Sequence, residues 1–447
     1  MVMYPGPETK KACDNFGEER LPRDLIRAYG EVKFAVLSAI QEEEAFFSVL
    51  HWECISLAIE ELISGLLDDY LCIPLMQGGA GTSINMCINE TIAMRANSLL
   101  EERGEKGLLD SVEHINRYQS TNDTFTTAIT IAVFRKLIEL EKLVIDIQKL
   151  LADRERSYAG ILMAGRTEMQ DALPITLGQV FGSWAGMFER DRWRLNKIKE
   201  RLRTIALGGT AVGTGFPVPA SIVFASEARL REITGLPLAR SQNLPDEIAN
   251  LDKYTELAHG IRQVCDNIFK LTGDLLIYTS SQTGELVHPE LQSGSSIMAA
   301  KTNPVLLEYA RGLSIAASYS ALSVSEYSRN GQLQLNAFLP FVCEELFRAF
   351  ELAKKALAAL IRLIPKLEVN KKRIEENLLR SHILLNALLP VIGYRRVKEL
   401  YHSHPEPFLS THELADYAAK KTGLDKKKIL EAIDIDNITS FGGRKNA

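Results

Sequence analysis

The sequence predicts a mainly α-helical protein, an elongated central helix bundle with smaller N- and C-terminal domains. Glycine (29) and proline (16) are sparse among the 447 residues, and Leu108–Ala159, Met187–Leu207 and Phe341–Ile364 contain neither. Such spans suit long helices and conflict with the turn density of a β-protein. Within the first span, Val133, Leu137, Leu140, Val144, Ile147 and Leu151 recur in alternating steps of four and three, which is a heptad seam. Phe134, Ile138 and Ile145 widen the apolar surface to a second face, as a helix inside a bundle requires. A helix of about thirty residues runs roughly 45 Å, hence the elongated bundle.

Taken along the chain, residues 1–118 mix shorter helical patterns with Gly-rich loops such as Gln77–Ser83, and form the expected N-terminal domain. Residues 119–366 carry the long helices of the bundle; Gly312 interrupts only one turn of the later stretch. After Pro365 the pattern shortens, and residues 367–447 are expected to be a small helical domain. Its Lys420, Lys421, Lys426, Lys427 and Lys428 read as a solvated helical face, because no aromatics are interleaved with them. No internal repeat or low-complexity segment is present.

Composition excludes several classes of function. Hydrophobic residues at 46% and charged residues at 24% belong to a folded soluble chain, not a disordered one. Lysine plus arginine (52) against aspartate plus glutamate (57) leaves a net charge of −5, so no basic excess drives nucleic-acid binding. An anionic ligand must be met by local groups. The six cysteines (Cys13, Cys54, Cys72, Cys87, Cys265, Cys343) form no C-x-x-C pair, which predicts reduced, mostly buried thiols. The opening MVMYPGPETKK lacks an apolar leader core, and no run approaches eighteen uncharged apolar residues, so a cytoplasmic protein without membrane contact is expected.

Four polar, small-residue segments interrupt the apolar pattern, each at the edge of a helical stretch: Gly78–Glu90, Gln119–Asp123, Gly165–Gln179 and Gly294–Pro304. Each offers hydroxyls, amides or backbone N–H groups near a helix start, the physical recipe for holding an anion. Ser120 with Asp123 three residues on is close to a capping box at the start of the long helix. Taken alone, that pair is better read as capping than as a ligand site. Asn303 and Pro304 read as N-cap and first helical residue. Lys301 then sits just ahead of a helix N-terminus and adds to its positive potential. Ser295 and Ser296 stand behind Gly294 in a Gly-flanked loop; no G-x-S-x-G elbow supports a Ser–His–acid triad. The eight histidines give neither an H-E-x-x-H pair nor a Cys/His quartet, and His402-x-His404 lies in a Pro-containing loop. Gly208–Gly215 (GGTAVGTG) follows a helical, charged stretch and not a strand, which argues against a dinucleotide loop. Chemistry without metal or cofactor is expected.

These segments, in this order and separation, resemble the three signature regions of the aspartase/fumarase superfamily over nearly the whole chain, with GSSIMAAKTNP at Gly294–Pro304 similar to its most characteristic motif. Glu290–Ser296, Ala300–Val305, Gly331–Asn336 and the tail around Asp434–Thr439 are more similar to the aspartate ammonia-lyase branch than to fumarases. The resemblance implies a homotetramer whose central helices form one bundle, with each active site gathered from three subunits. It implies reversible anti elimination of ammonia from L-aspartate to give fumarate. Ser295 falls where the family keeps its general base. Thr82, Ser120, Thr121 and Ser296 match positions that hold the carboxylate gaining charge. Thr167, Lys301 and Asn303 match those that grip the other carboxylate, Asn122 the one that meets the amino group, and Glu308 a family glutamate near the site.

Departures from the pattern bear on the substrate. Glu168 stands where relatives place histidine or glutamine; a carboxylate there repels a dicarboxylate but attracts an ammonium, which points either to an amine-bearing substrate or to a different substrate with fewer anionic groups. Ala299 replaces the usual proline of the serine loop, and Tyr118 a small residue before QSTND. Asp110 falls where fumarases carry a secondary-site histidine. Fumarate hydratase, with water as the leaving group, and a non-catalytic relative of the same fold are the alternative readings.

Overall fold

A computed structural model describes residues 4–105 and 108–440. It is mainly helical, as the sequence predicts. The helices are α1 (Pro7–Phe16), α2 (Arg23–Glu44), α3 (Val49–Ser64), α4 (Thr82–Glu102), α5 (Thr121–Ser157), α6 (Leu177–Arg201), α7 (Ala220–Thr234), α8 (Leu244–Ala249), α9 (Asp252–Tyr278), α10 (Val305–Ser328), α11 (Leu339–Leu363), α12 (Lys371–Arg380), α13 (Leu389–His402), α14 (Thr411–Thr422), α15 (Lys426–Ala432) and α16 (Ile435–Thr439). Short strands pair in twos: β1 (Leu162–Thr167) antiparallel with β2 (Gln170–Thr176), β3 (Thr204–Ile205) parallel with β4 (Ala239–Arg240), and β5 (Leu286–Val287) antiparallel with β6 (Glu368–Val369).

The predicted heptad helix is α5, 37 residues long. All six seam residues are fully buried, because a 3.5-residue repeat keeps one stripe against its neighbours along the whole helix. On the second face Phe134 is buried and Ile138 is 43% exposed. Each buried Leu or Ile of the seam contributes about 1.5–3 kcal/mol of hydrophobic stabilisation.

Two compact units divide the chain, one of Met1–Lys142, Arg192–Cys265 and Ile315–Lys354, the other of Leu143–Asp191, Asp266–Ser314 and Lys355–Ala447. In the first, α2 packs on α3 and α7, and α4 on α3 and α1. Helix α1 lacks a side-chain cap of its own. Glu90 of α4, 5% exposed, supplies one from a distance: its carboxylate accepts from Glu8 N–H (2.9 Å), Thr9 N–H (2.8 Å) and the Thr9 hydroxyl (2.6 Å). In the second unit, the C-terminal helices close over a core of Leu378, Leu384, Leu385, Leu414, Ala415 and Ile429. The lysine-rich tail predicted as a solvated appendage is the outer surface of α14 and α15, anchored by Leu414, Ala418 and Ile429.

All six cysteines are free and buried. Among the described residues, no helix is long and apolar enough to cross a membrane.

Three local expectations need correction. Gly165–Gln179 reads in the sequence as a polar segment at a helix edge, without strands; much of it is the β1–β2 hairpin, whose two-residue turn Glu168–Met169 has φ 51° and 62°. Positive φ at both turn positions gives the twist that a tight hairpin needs, and β-pairing of Leu162–Ala164 with Pro174–Thr176 supplies what local propensity does not. The Gly208–Gly215 loop does follow a strand, the two-residue β3, although no helix opens on it. Helix α10 begins at Val305, not at Pro304, with Pro304 O as its first carbonyl acceptor, and the Asn303 amide nitrogen ties back to Gly294 O.

Candidate active site

Thr82, Ser120, Thr121 and Asn122 line one cavity of about 570 Å³ in the first unit. Two helix starts build its wall. Gly81, at φ 90°, turns the chain into α4, and a Cβ there would lie 2.3 Å from the Phe125 ring, so only glycine fits. Thr82 opens α4 with its hydroxyl donating to Gly79 O (2.9 Å). Ser120 caps α5: its hydroxyl oxygen accepts from Asn122 N–H (3.2 Å), and Asp123 accepts from Ser120 N–H (3.1 Å). This is the expected capping box, so capping and cavity-lining coexist in the same residues. Asn122 donates its amide to Ala211 O (2.7 Å), which leaves the amide oxygen as the end available to a donor.

Beneath this wall lie two buried charges. Asp123 is 1% exposed and also accepts from Gly208 N–H (3.2 Å) and Thr210 N–H (3.0 Å), tying α5 to the glycine-rich loop. Burial pushes its carboxyl up to about 6, against the pull of those N–H groups and of Lys33. Lys33 of α2 is fully buried, and burial brings its ammonium down to about 7, opposed by the charge of Asp123.

The second unit gathers the rest. Gly294 lies so close to Lys301 that a Cβ would meet the Lys301 carbonyl oxygen at 1.5 Å. With Asn303 bonded to Gly294 O, residues 294–303 close on themselves. Within that loop the Ser295 hydroxyl oxygen accepts from Ile297 N–H (3.2 Å) and Met298 N–H (3.0 Å). Two backbone donors on one hydroxyl oxygen favour its anion. Ser296 and Lys301 are exposed, and Glu308 is exposed in the first turn of α10. Thr167 and Glu168 are exposed at the tip of the β1–β2 hairpin. Behind that tip, Arg166 makes a bidentate pair with the fully buried Glu285, at 2.9 and 2.6 Å. A non-glycine residue held at positive φ, as Glu168 is, stores strain of the kind found at functional positions.

A family model described as "Lyase" matches residues 28–317. The chain belongs to the aspartase/fumarase superfamily. It is 30% identical to an aspartate ammonia-lyase of Helicobacter pylori over 452 residues, covering 98% of this chain and 95% of that protein. It is 34% identical to a class II fumarate hydratase of Bradyrhizobium diazoefficiens over 402 residues, covering 88% and 84%. The crystal structure of fumarate lyase:delta crystallin from Brucella melitensis bound to cobalt superposes with a TM-score of 0.89 at 29% identity, covering 97% of this chain and 96% of that one. Class II fumarase from Schistosoma mansoni shares the fold (TM-score 0.89, 22% identity, 97% and 95% coverage). The superfamily chain is therefore an enzyme of the fumarase/aspartase lyase type, a family acting on small dicarboxylates.

Other residues share this cavity, two of them, Asn85 and Gln119, inside the polar segments Gly78–Glu90 and Gln119–Asp123 but without a role in the sequence pattern. Asn85, Asn116 and Gln119 line it together with Thr210, Ala211, Phe216 and Pro217. The signal for Thr210 and Ala211 was the Gly208–Gly215 run, read only as a rejected dinucleotide loop; Phe216 and Pro217 follow it directly. Asp110, set against a fumarase histidine, is a turn cap: its carboxylate accepts from Val112 N–H (2.7 Å) and Glu113 N–H (2.8 Å), which hold it below the usual carboxylate range. Tyr118, at φ 60°, donates its hydroxyl to Glu44 (2.9 Å) and lines the cavity. Among the described residues, no three His, Cys, Asp or Glu side chains converge on a point that a metal ion could occupy.

Proposed function

We propose that the protein catalyses the reversible anti elimination of ammonia from L-aspartate or a close analogue to give fumarate, with Ser295 as general base. The observation that carries this is the double backbone donation to Ser295 Oγ, from Ile297 and Met298, inside a loop closed beside Lys301. A serine must lose its proton to act as a base, and oriented N–H dipoles lower the cost of the alkoxide.

Removing the proton next to a carboxylate builds a dianion, so donors aimed at the growing charge carry much of the acceleration. Thr82, Ser120, Thr121 and Ser296 are assigned to that carboxylate. Thr167, Lys301 and Asn303 take the other one, and Glu308 stands near them. Asn122 receives the ammonium through its free amide oxygen, and Glu168 adds a negative charge that favours an amine over a hydroxyl. The working form is a cytoplasmic homotetramer with each site shared between subunits.

Fumarate hydration is the second reading, favoured by the 34% identity to a fumarate hydratase. Incubation with L-aspartate, following ammonia and the ultraviolet absorbance of fumarate, separates the two. Ammonia release in step with fumarate supports the proposal; turnover of L-malate without turnover of L-aspartate refutes it.

A further inference from the structure

Lys33 has no place in the chemistry above, yet it is a fully buried lysine, and an ammonium in low dielectric is costly to keep. Its Nζ donates to Asn116 Oδ1 at 3.1 Å. The same oxygen accepts from the amides of Asn85 and Asn89, each at 3.1 Å. The Asn116 amide donates in turn to Gln119 O (3.1 Å), one residue before Ser120. The orientation of this hub is determined chemically, because a carbonyl can only accept and a protonated lysine can only donate. Asn85 and Asn89 belong to α4, which Thr82 opens, and Asn116 leads into α5, which Ser120 caps. Asn85 and Asn116 both line the cavity. One oxygen thus joins the two helix starts that carry the hydroxyls of the anion-binding wall, and a cation holds that oxygen from below.

We propose that Lys33 is a positioning residue for the carboxylate-binding wall, acting through Asn116 to hold the starts of α4 and α5 in register and placing a buried positive charge beneath the bound dicarboxylate. The inference rests on the dicarboxylate reading of this cavity. The titratable groups that face Lys33 are the Asp123 carboxyl from α5 and, within α2, the neutral ring of Tyr29 at 5.6 Å. Burial brings the lysine to about 7, and a dianion overhead favours the charged form. Ligand binding therefore takes up a proton, and affinity falls as pH rises through neutrality.

The test is calorimetric titration of the full-length protein with succinate, a dicarboxylate that cannot react, at pH 6.5 and 8.5. Lys33→Met is expected to weaken succinate binding on the order of tenfold at the lower pH, the scale of one charge acting through a partly screened interior. The gap to wild type is expected to shrink at the higher pH, where the wild-type lysine has lost its proton. A merely structural lysine gives the same gap at both. If Lys33→Met fails to fold, Asn116→Asp answers instead: it keeps the acceptor but holds the lysine charged, so the wild-type pH dependence should flatten. An equal gap at both pH values, or an unaltered profile in Asn116→Asp, overturns the inference. Wild-type protein that binds succinate yet releases no ammonia from L-aspartate refutes the proposed reaction and leaves Lys33 standing; wild-type protein that binds no succinate overturns both.

Discussion

Replacing Arg166 by Met tests how the hairpin that presents Thr167 and Glu168 is held. The Arg166 guanidinium meets Glu285 through two bonds, 2.9 and 2.6 Å, and Glu285 is 0% exposed. Its other side-chain partner is the Asn377 amide at 3.0 Å. Methionine keeps much of the length of arginine but strands a buried carboxylate on one neutral donor. Breaking a buried pair in this way costs about 3–5 kcal/mol, a shift on the order of 0.5–1 M in a urea midpoint for a chain this long, because the slope grows with the surface exposed on unfolding. In Arg166→Met/Glu285→Gln the stranded charge is gone and Asn377 keeps its acceptor, so at least half of the loss should return. The assay is urea unfolding followed by circular dichroism, with KM for L-aspartate measured on the folded variants. The single variant is expected to raise KM, because the tip beside residue 166 loses its anchor. A midpoint lowered by less than about 0.3 M, or a double variant no more stable than the single one, would refute the reasoning.

Ser295→Ala should assemble normally and lose about 10²–10⁴-fold in kcat, the usual contribution of a general base, with succinate affinity little changed; retained turnover removes Ser295 from that role. The buried ammonium of Lys33 makes a signed pH prediction. Its folded value, about 7, lies below the 10.5 of a free lysine, so between these values the unfolded chain binds the proton that the folded one releases. Stability therefore rises with pH across this window by about 1.4 kcal/mol per unit. Lys33→Met lacks this rise, and urea midpoints of the two proteins at pH 7, 8 and 9 should show the wild type gaining on the variant; parallel curves contradict it. For the distant cap of α1, Glu90→Gln keeps one acceptor oxygen and should cost about 1–3 kcal/mol, while Glu90→Ala strands three donors and should cost more. Reversal of that order in thermal unfolding would show that Glu90 is not the cap.

Much of the fold was legible in the chain because the signals are local and repeated. The seam from Val133 to Leu151 predicts one buried stripe whatever it packs against, and α5 buries that stripe from end to end. The capping box at Ser120 was readable for the same reason, since donor and acceptor lie three residues apart. The β1–β2 hairpin was not, because Glu168–Met169 is a poor turn sequence and only pairing across the strands holds both residues at positive φ. The part Asn303 plays in the loop was not legible, because the carbonyl its amide nitrogen reaches, Gly294 O, is nine residues away and close only once the loop has folded.

The helical class and the burial of the six thiols follow from the chain alone, which also singles out Thr82, Ser120–Asn122, Thr167–Glu168 and Ser295–Glu308 as candidates. Tertiary structure decided which of these share a cavity wall, that two backbone N–H groups serve the Ser295 oxygen, and that Lys33, Asn85, Asn89 and Asn116 meet at one point. Periodicity and capping are written within a few residues of chain, whereas a hydrogen-bond hub and a buried charge depend on segments more than eighty residues apart, and their energies exist only when folding removes the water between them.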